Sequence, residues 1–192
     1  MKDHRTLVLL SGGLDSMAVC HFVKTQGYEV ESLFIDYGQP AAREERSAAE
    51  QMANFFNLKH HFLDQRAGST TFNSGEIFGR NSFLIFSASM FFPEFNSISI
   101  GLHANTPYYD SSPSFMNSIS EIVEKSSMAN KTVLSPFLNW SKGDIWAYIK
   151  KYQLPLDLTY SCEEGGLTVC GKCLSCIDRG KINAWEAENH IY

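Results

Sequence analysis

Residues 7–16 read LVLLSGGLDS. An apolar run ends, and two glycines with three hydroxyl or carboxylate side chains follow at once. A short apolar run of this kind is a buried strand, and the apolar spacing of the next twelve residues is helical. SGGLDS therefore sits where a strand turns into a helix. Glycine there lets backbone N–H groups approach an anion without a side chain in the way. The helix that follows turns its positive end toward the same anion. Leu10, Ser11, Gly12, Gly13, Leu14, Asp15 and Ser16 are thus the candidate phosphate-binding loop. Ser11 and Ser16 add hydroxyl donors, and Asp15 is useful in an anion site when Mg2+ bridges the charges. The plain alternative is a Gly-Gly turn that only joins two elements. The Walker A pattern is absent.

Outward from this loop, strands alternate with helices. Strands are expected at residues 6–10, 30–36, 58–63, 97–102 and around TVL in 131–136. Helices are expected at 15–26, with Val19, Phe22 and Val23 on one face, and at 41–57. A buried helix at 81–92 is stopped by Pro93. The helix capped by Ser112 and started by Pro113 buries Phe115, Ile119, Ile122 and Val123. The last, opened by a capping-box-like Ser141 and Asp144, runs to Tyr152. This alternation predicts an α/β fold, a doubly wound parallel sheet with helices on both faces. Ligands in such sheets bind beyond the carboxyl ends of the strands. The chemistry is expected in the loops after Leu10, Ile35, Ile100 and Ser135. Residues 1–152 form the nucleotide-binding core. Residues 153–192 form a C-terminal segment packed as part of the same domain.

The chain has 192 residues, a net charge of −5 and 44% hydrophobic residues. The acidic balance argues against a phosphate-gripping nucleic-acid binder. Residues 6–10 are too few for a signal-peptide core, and no run approaches the length of a membrane span. The chain therefore reads as cytoplasmic, where its five cysteines stay reduced. Four of them, Cys162, Cys170, Cys173 and Cys176, follow a C-x7-C-x2-C-x2-C pattern that can close around one tetrahedral Zn2+. Lys172, Arg179 and Lys181 would offset the charge of the thiolates. An iron–sulfur cluster uses the same ligands, and spacing does not separate the two. Cys20, on an apolar helix face, reads as core packing.

SGGLDS resembles the PP-loop of the ATP pyrophosphatases, and its pairing with a C-terminal four-cysteine array resembles the 7-cyano-7-deazaguanine synthase (QueC) family. DYGQ at 36–39, GRN at 79–81, SPFLNWSKGDIW at 135–146 and CGKCLSCIDRG at 170–180 match that family's segments in order. The resemblance implies an ATP-dependent carbon–nitrogen ligase of queuosine biosynthesis, with ATP, Mg2+ and Zn2+. Such an enzyme adenylates 7-carboxy-7-deazaguanine and, with ammonia, forms the amide and then the nitrile. It implies ATP contacts from the loop and from Phe34, Asp36 and Gly101, with Ser11, Asp15, Ser16 and Lys142 catalytic. It places Tyr37, Gln39, Arg80, Asn81, His103, Tyr109 and Asp110 on the substrate side, and it implies a homodimer. Three of these have a plainer reading: Lys142 as an exposed helix lysine, Asn81 as an N-cap, His103 as a partner for a backbone carbonyl.

The departures fall on the substrate side. Where the family carries Gly-Tyr-Pro-Asp-Cys-Arg, this chain has PYYDSS at 107–112, so Ser112 replaces the arginine. The loop at 65–78 is shorter, and no basic residue follows Gln39. A defence-associated relative joining the activated acid to a protein amine is the alternative reading. A tRNA-modifying thiolase and a non-catalytic nucleotide-binding module are the remaining classes.

Overall fold

The computed structural model describes residues 4–67, 72–73, 75, 77–104, 106–126 and 131–189, with side chains considered up to residue 182. Much of the expected 65–78 loop, and Trp185 as a side chain, lie outside the described residues. Five strands, β1 (Arg5–Leu9), β2 (Glu29–Asp36), β3 (His60–Asp64), β4 (Ser97–Ser99) and β5 (Thr132–Leu134), form one sheet in the order β3-β2-β1-β4-β5. Every pairing is parallel. After β1 the chain adds β2 and β3 on one side. It then crosses back to add β4 and β5 on the other, so the strand order reverses between β1 and β4.

Side chains along β1 alternate between two cores, because successive residues of a strand point to opposite faces. Val8 and Leu10 join Phe34, Met52, Phe137, Ile145 and Ile149 under α1 (Leu14–Thr25), α2 (Ala42–Phe55) and α5 (Lys142–Lys151). Leu7 and Leu9 join Ile35, Ile85, Ile98, Phe115 and Ile119 under α3 (Arg80–Phe91) and α4 (Pro113–Ser126). The expected doubly wound architecture is present, and α6 (Leu174–Asn189) follows the cysteines. Among the described residues no helix is long and apolar enough to cross a membrane.

Several expectations need correction. The strand expected at 97–102 is only three residues long. Ile100 still donates to Leu134 O at 2.9 Å, but Gly101 leaves the ladder. There a Cβ would lie 3.2 Å from the Asp15 and Ser16 backbone. In α4, Ile122 is 49% exposed, and Met116 is buried with Phe115, Ile119 and Val123 instead. α3 is not wholly buried: Ile85 and Ala88 face the sheet, while Phe83, Phe86, Met90 and Phe91 are exposed. Its uniform hydrophobicity hid which face packs. Ser112 Oγ accepts from Phe115 N at 3.1 Å, and Ser141 with Asp144 forms a reciprocal capping box.

Candidate active site

The loop after β1 folds as a tight cradle. Gly12 has a positive φ of 82° and packs against α2. Gly13 is the N-cap of α1 and supplies no side-chain cap, so the first N–H groups of the helix are not claimed by a capping side chain. Ser16 Oγ donates to Gly13 O at 2.9 Å and accepts from Ser11 Oγ at 3.2 Å. Asp15 Oδ2 accepts from Lys142 Nζ at 2.5 Å, joining the starts of α1 and α5. Asp15 Oδ1 is buried without a hydrogen-bonding partner among the described residues. An orphaned carboxylate oxygen beside an anion cradle has the chemistry of a cation ligand.

His103 makes the backbone-carbonyl contact expected of it. Its Nδ1 lies 2.7 Å from Ala104 O, and a carbonyl only accepts, so Nδ1 carries the proton. In the neutral ring Nε2 is then the acceptor, 3.3 Å from Lys142 Nζ. His103 also lines the cleft. Ala104 N donates to Trp140 O at 2.9 Å and docks this loop on the entry to α5.

The cleft has a volume of about 510 Å³ and opens over the carboxyl ends of β1, β2 and β4, at the reversal of strand order. Leu10, Ser11, Gly13, Leu14, Asp15, Ser16, Phe34, Gly101 and Lys142 line it, as do Tyr37, Gln39, Arg80 and Asn81. Four residues expected at the site do not line it. Gly12 is turned toward α2. Asp36 spends Oδ1 on Gly38 N at 3.0 Å, closing the turn after β2. Tyr109 is 64% exposed and packs edge-on against Phe115. Asp110 is tied to α3: Asn81 N donates to its Oδ2 at 3.2 Å, and Asn81 Nδ2 donates to its backbone O at 2.9 Å. Tyr109–Ser111 is a 3-10 turn, which rotates successive residues by about 120°, so Tyr108 faces the cleft in place of Tyr109. The N-cap of α3 is Gly79, so Asn81 is a helical residue and not the cap. No residue of the loop between Ser135 and Lys142 lines the cleft; that edge is reached through Lys142.

Glu45, Tyr108, Tyr160, Glu163, Ser175 and Asp178 also line the cleft and were not singled out in the sequence. Glu45 had one signal, its place in the first turn of the helix after β2. Gln39 orders this wall, accepting from Tyr37 N at 3.0 Å and donating to Ile35 O at 3.3 Å and Glu45 Oε2 at 3.0 Å. Burial pushes the Tyr37 hydroxyl up to about 12 and raises the Glu45 carboxyl above its usual range.

The four cysteine sulfurs lie within 4.8 Å of one another, and no disulfide forms. Bonds of about 2.3 Å from one tetrahedral ion would set its sulfurs roughly 3.8 Å apart. The Cys170 and Cys176 sulfurs are 3.9 Å apart. Backbone N–H groups of Cys170, Cys173 and Cys176 point at the sulfurs of Cys162, Cys170 and Cys173 at 3.3–3.4 Å. The set fits one metal ion. Arg179 donates to Thr159 Oγ1 at 2.7 Å and Leu156 O at 3.1 Å, and Lys181 pairs with Asp178. Tyr160 N donates to Gly12 O at 2.9 Å, and Glu163 Oε1 accepts from Ser175 N and Oγ. The cysteine segment thereby becomes a wall of the cleft.

The chain matches the family described as "Queuosine biosynthesis protein QueC" over residues 5–187. It is 31% identical over 211 residues to the 7-cyano-7-deazaguanine synthase of Aquifex aeolicus, covering 93% of this chain and 96% of the relative. To the synthase of Oceanobacillus iheyensis it is 30% identical, covering 92% and 91%. In fold it resembles the U34-tRNA thiolase NcsA of Methanococcus maripaludis, solved with its [4Fe-4S] cluster. The TM-score is 0.56 at 14% identity, over 100% of this chain and 69% of that one. A predicted tRNA methyltransferase subunit of Methanocaldococcus jannaschii gives 0.52 at 16%, over 77% and 75%. The sheet, the loop after β1 and the extent of the match lead to one conclusion: the chain belongs to the QueC family of PP-loop, ATP-dependent enzymes.

Proposed function

We propose that the protein adenylates the carboxylate of 7-carboxy-7-deazaguanine with ATP, forms the amide with ammonia, and in a second activation dehydrates the amide to 7-cyano-7-deazaguanine. The observation that carries this reading is the Asp15–Lys142 pair at the mouth of the uncapped α1, with Asp15 Oδ1 left over. The α1 N–H groups and the hydroxyls of Ser11 and Ser16 hold the departing pyrophosphate. Lys142 balances negative charge as the α–β bond breaks, in a site where oriented charge is effective. Asp15 would hold Mg2+, which supplies charge neutralisation between phosphates when bound. Phe34 and Gly101 flank the nucleotide, while Arg80, Asn81, His103 and Tyr108 face the acid. The four cysteines would hold a structural Zn2+, because all four positions are filled by protein.

A protein amine as acceptor is the second reading. Its ground is the departure on the substrate side, where Ser112, whose hydroxyl caps α4, stands in place of the family's arginine. The exposed Phe83, Phe86 and Met90 support a homodimer. The test is pyrophosphate exchange into ATP with 7-carboxy-7-deazaguanine, followed by mass analysis of the product with ammonia or an amine-bearing peptide. Exchange and nitrile are expected. No exchange and no AMP would reject the reading, and exchange with product only from the peptide would select the second one.

A further inference from the structure

The cleft holds a carboxylate that the activation chemistry does not use. Glu45 stands in the first turn of α2 and lines the cleft together with Lys142 of α5. Its Oε2 accepts from Gln39 Nε2 at 3.0 Å. Gln39 is itself fixed by Tyr37 N and Ile35 O, so the carboxylate is held in place and is not a mobile surface acid. Gly12 lies against the Glu45 backbone, so the first turn of α2 packs on the loop after β1, and the Glu45 side chain lines the same cleft as that loop. Glu163, from the cysteine segment, lines the same cleft.

We propose that Glu45 is the catalytic base of an amine subsite, receiving a proton from the cationic nitrogen nucleophile before it attacks the acyl adenylate. This rests on the reading above, that the cleft activates a carboxylic acid for a nitrogen nucleophile. Ammonia and primary amines are cations at neutral pH and lack a free lone pair. The amine enters as R–NH3+ and passes one proton to the Glu45 carboxylate. The freed lone pair forms the C–N bond. The bond between the acyl carbon and the AMP oxygen breaks, and its electron pair leaves with AMP. The proton then lost from nitrogen goes to water. Burial raises the Glu45 carboxyl, which brings the base nearer the working pH. Its charged neighbours are Arg80 from α3, which lowers it, and Glu163 from the cysteine segment and Asp36 from β2, which raise it further; the Tyr37 hydroxyl also feels its charge. Gln39 donates a hydrogen bond to it. Ammonium and a peptide amine share this chemistry, and the wild-type enzyme's preference between them identifies the source.

The experiment compares wild type, Glu45→Gln and Glu45→Asp. Pyrophosphate exchange needs no amine and is expected to stay within about twofold in Glu45→Gln. At neutral pH, kcat/KM for ammonium should fall by about 10²-fold. That loss should shrink at alkaline pH, where free ammonia predominates, and Glu45→Asp should recover part of it. Hydroxylamine, a nucleophile already neutral at pH 7, should form hydroxamate at nearly wild-type rate in Glu45→Gln. An equal loss with hydroxylamine, a parallel loss of exchange, or an unchanged response to ammonium overturns the proposal. A wild-type enzyme without exchange would instead overturn the ligase reading itself, and the proposal with it.

Discussion

Gly12 and Gly27 offer a matched pair for testing how the phosphate loop is held. Their φ values are +82° and +83°, so alanine at either position meets the same left-handed backbone penalty of about 1–2 kcal/mol. Their surroundings differ. Around Gly27 an added Cβ meets nothing within 4 Å. At Gly12 it would land 2.4 Å from the Glu45 carbonyl oxygen and 3.0 Å from Ala48 Cβ. The first is a backbone atom in a packed helix, so α2 and the loop must move apart. Overpacking of that kind costs a further 1–3 kcal/mol, roughly. Gly12→Ala should therefore lose about 2–5 kcal/mol and Gly27→Ala about 1–2. At about 2–4 °C per kcal/mol for a chain this long, the Tm of Gly12→Ala should fall by roughly 10 °C. Thermal unfolding of both variants reads the difference, and calorimetric titration with MgATP reads the loop. Gly27→Ala should keep nucleotide affinity and Gly12→Ala should lose it. Equal destabilisation by the two, or intact affinity in Gly12→Ala, would refute the close packing of the loop on α2.

Two further outcomes follow from buried groups away from the loop. Glu31 joins neighbouring strands through Arg5 at 3.0 Å, Lys59 at 3.3 Å and His61 at 2.6 Å. Burial alone would raise its carboxyl, but the hydrogen bonds from His61, Arg5 and Lys59 outweigh it and hold the group below its usual 4.5. A lowered carboxylate stabilises the fold above its unfolded pKa and loses that contribution as pH falls through the folded one. Glu31→Gln should cost about 1–2 kcal/mol at pH 7. Urea unfolding should show the gap closing below the carboxylate range, and a constant gap would rule the linkage out. Burial also pushes the Cys20 thiol up to about 12, so it carries almost no thiolate at pH 8. After chelation four thiols should react with a disulfide reagent and Cys20 only on unfolding, and exchange activity should be lost with the cleft wall. Five thiols reacting together would contradict the placement of Cys20.

The sequence by itself determined the sheet, the strand-to-helix loop and the four-cysteine cluster, because each is a local pattern. Alternating strands and helices dictate a parallel sheet, SGGLDS makes a strand-to-helix cradle within six residues, and four cysteines sit within one short segment. Tertiary structure alone decided what meets the loop from a distance. The contact between Asp15 and Lys142 spans 127 positions, and Glu45 and Glu163 line one cleft from two separate segments. No spacing rule links such residues; the reversal of strand order between β1 and β4 brings them over one cleft. The exchange of Tyr109 for Tyr108 has the same origin. Both are tyrosines in one short stretch, and only the rotation of a 3-10 turn docked on α3 through Asn81 chooses which ring faces the cleft. Local chemistry is written in residue order, whereas the direction a side chain faces depends on what the backbone packs against.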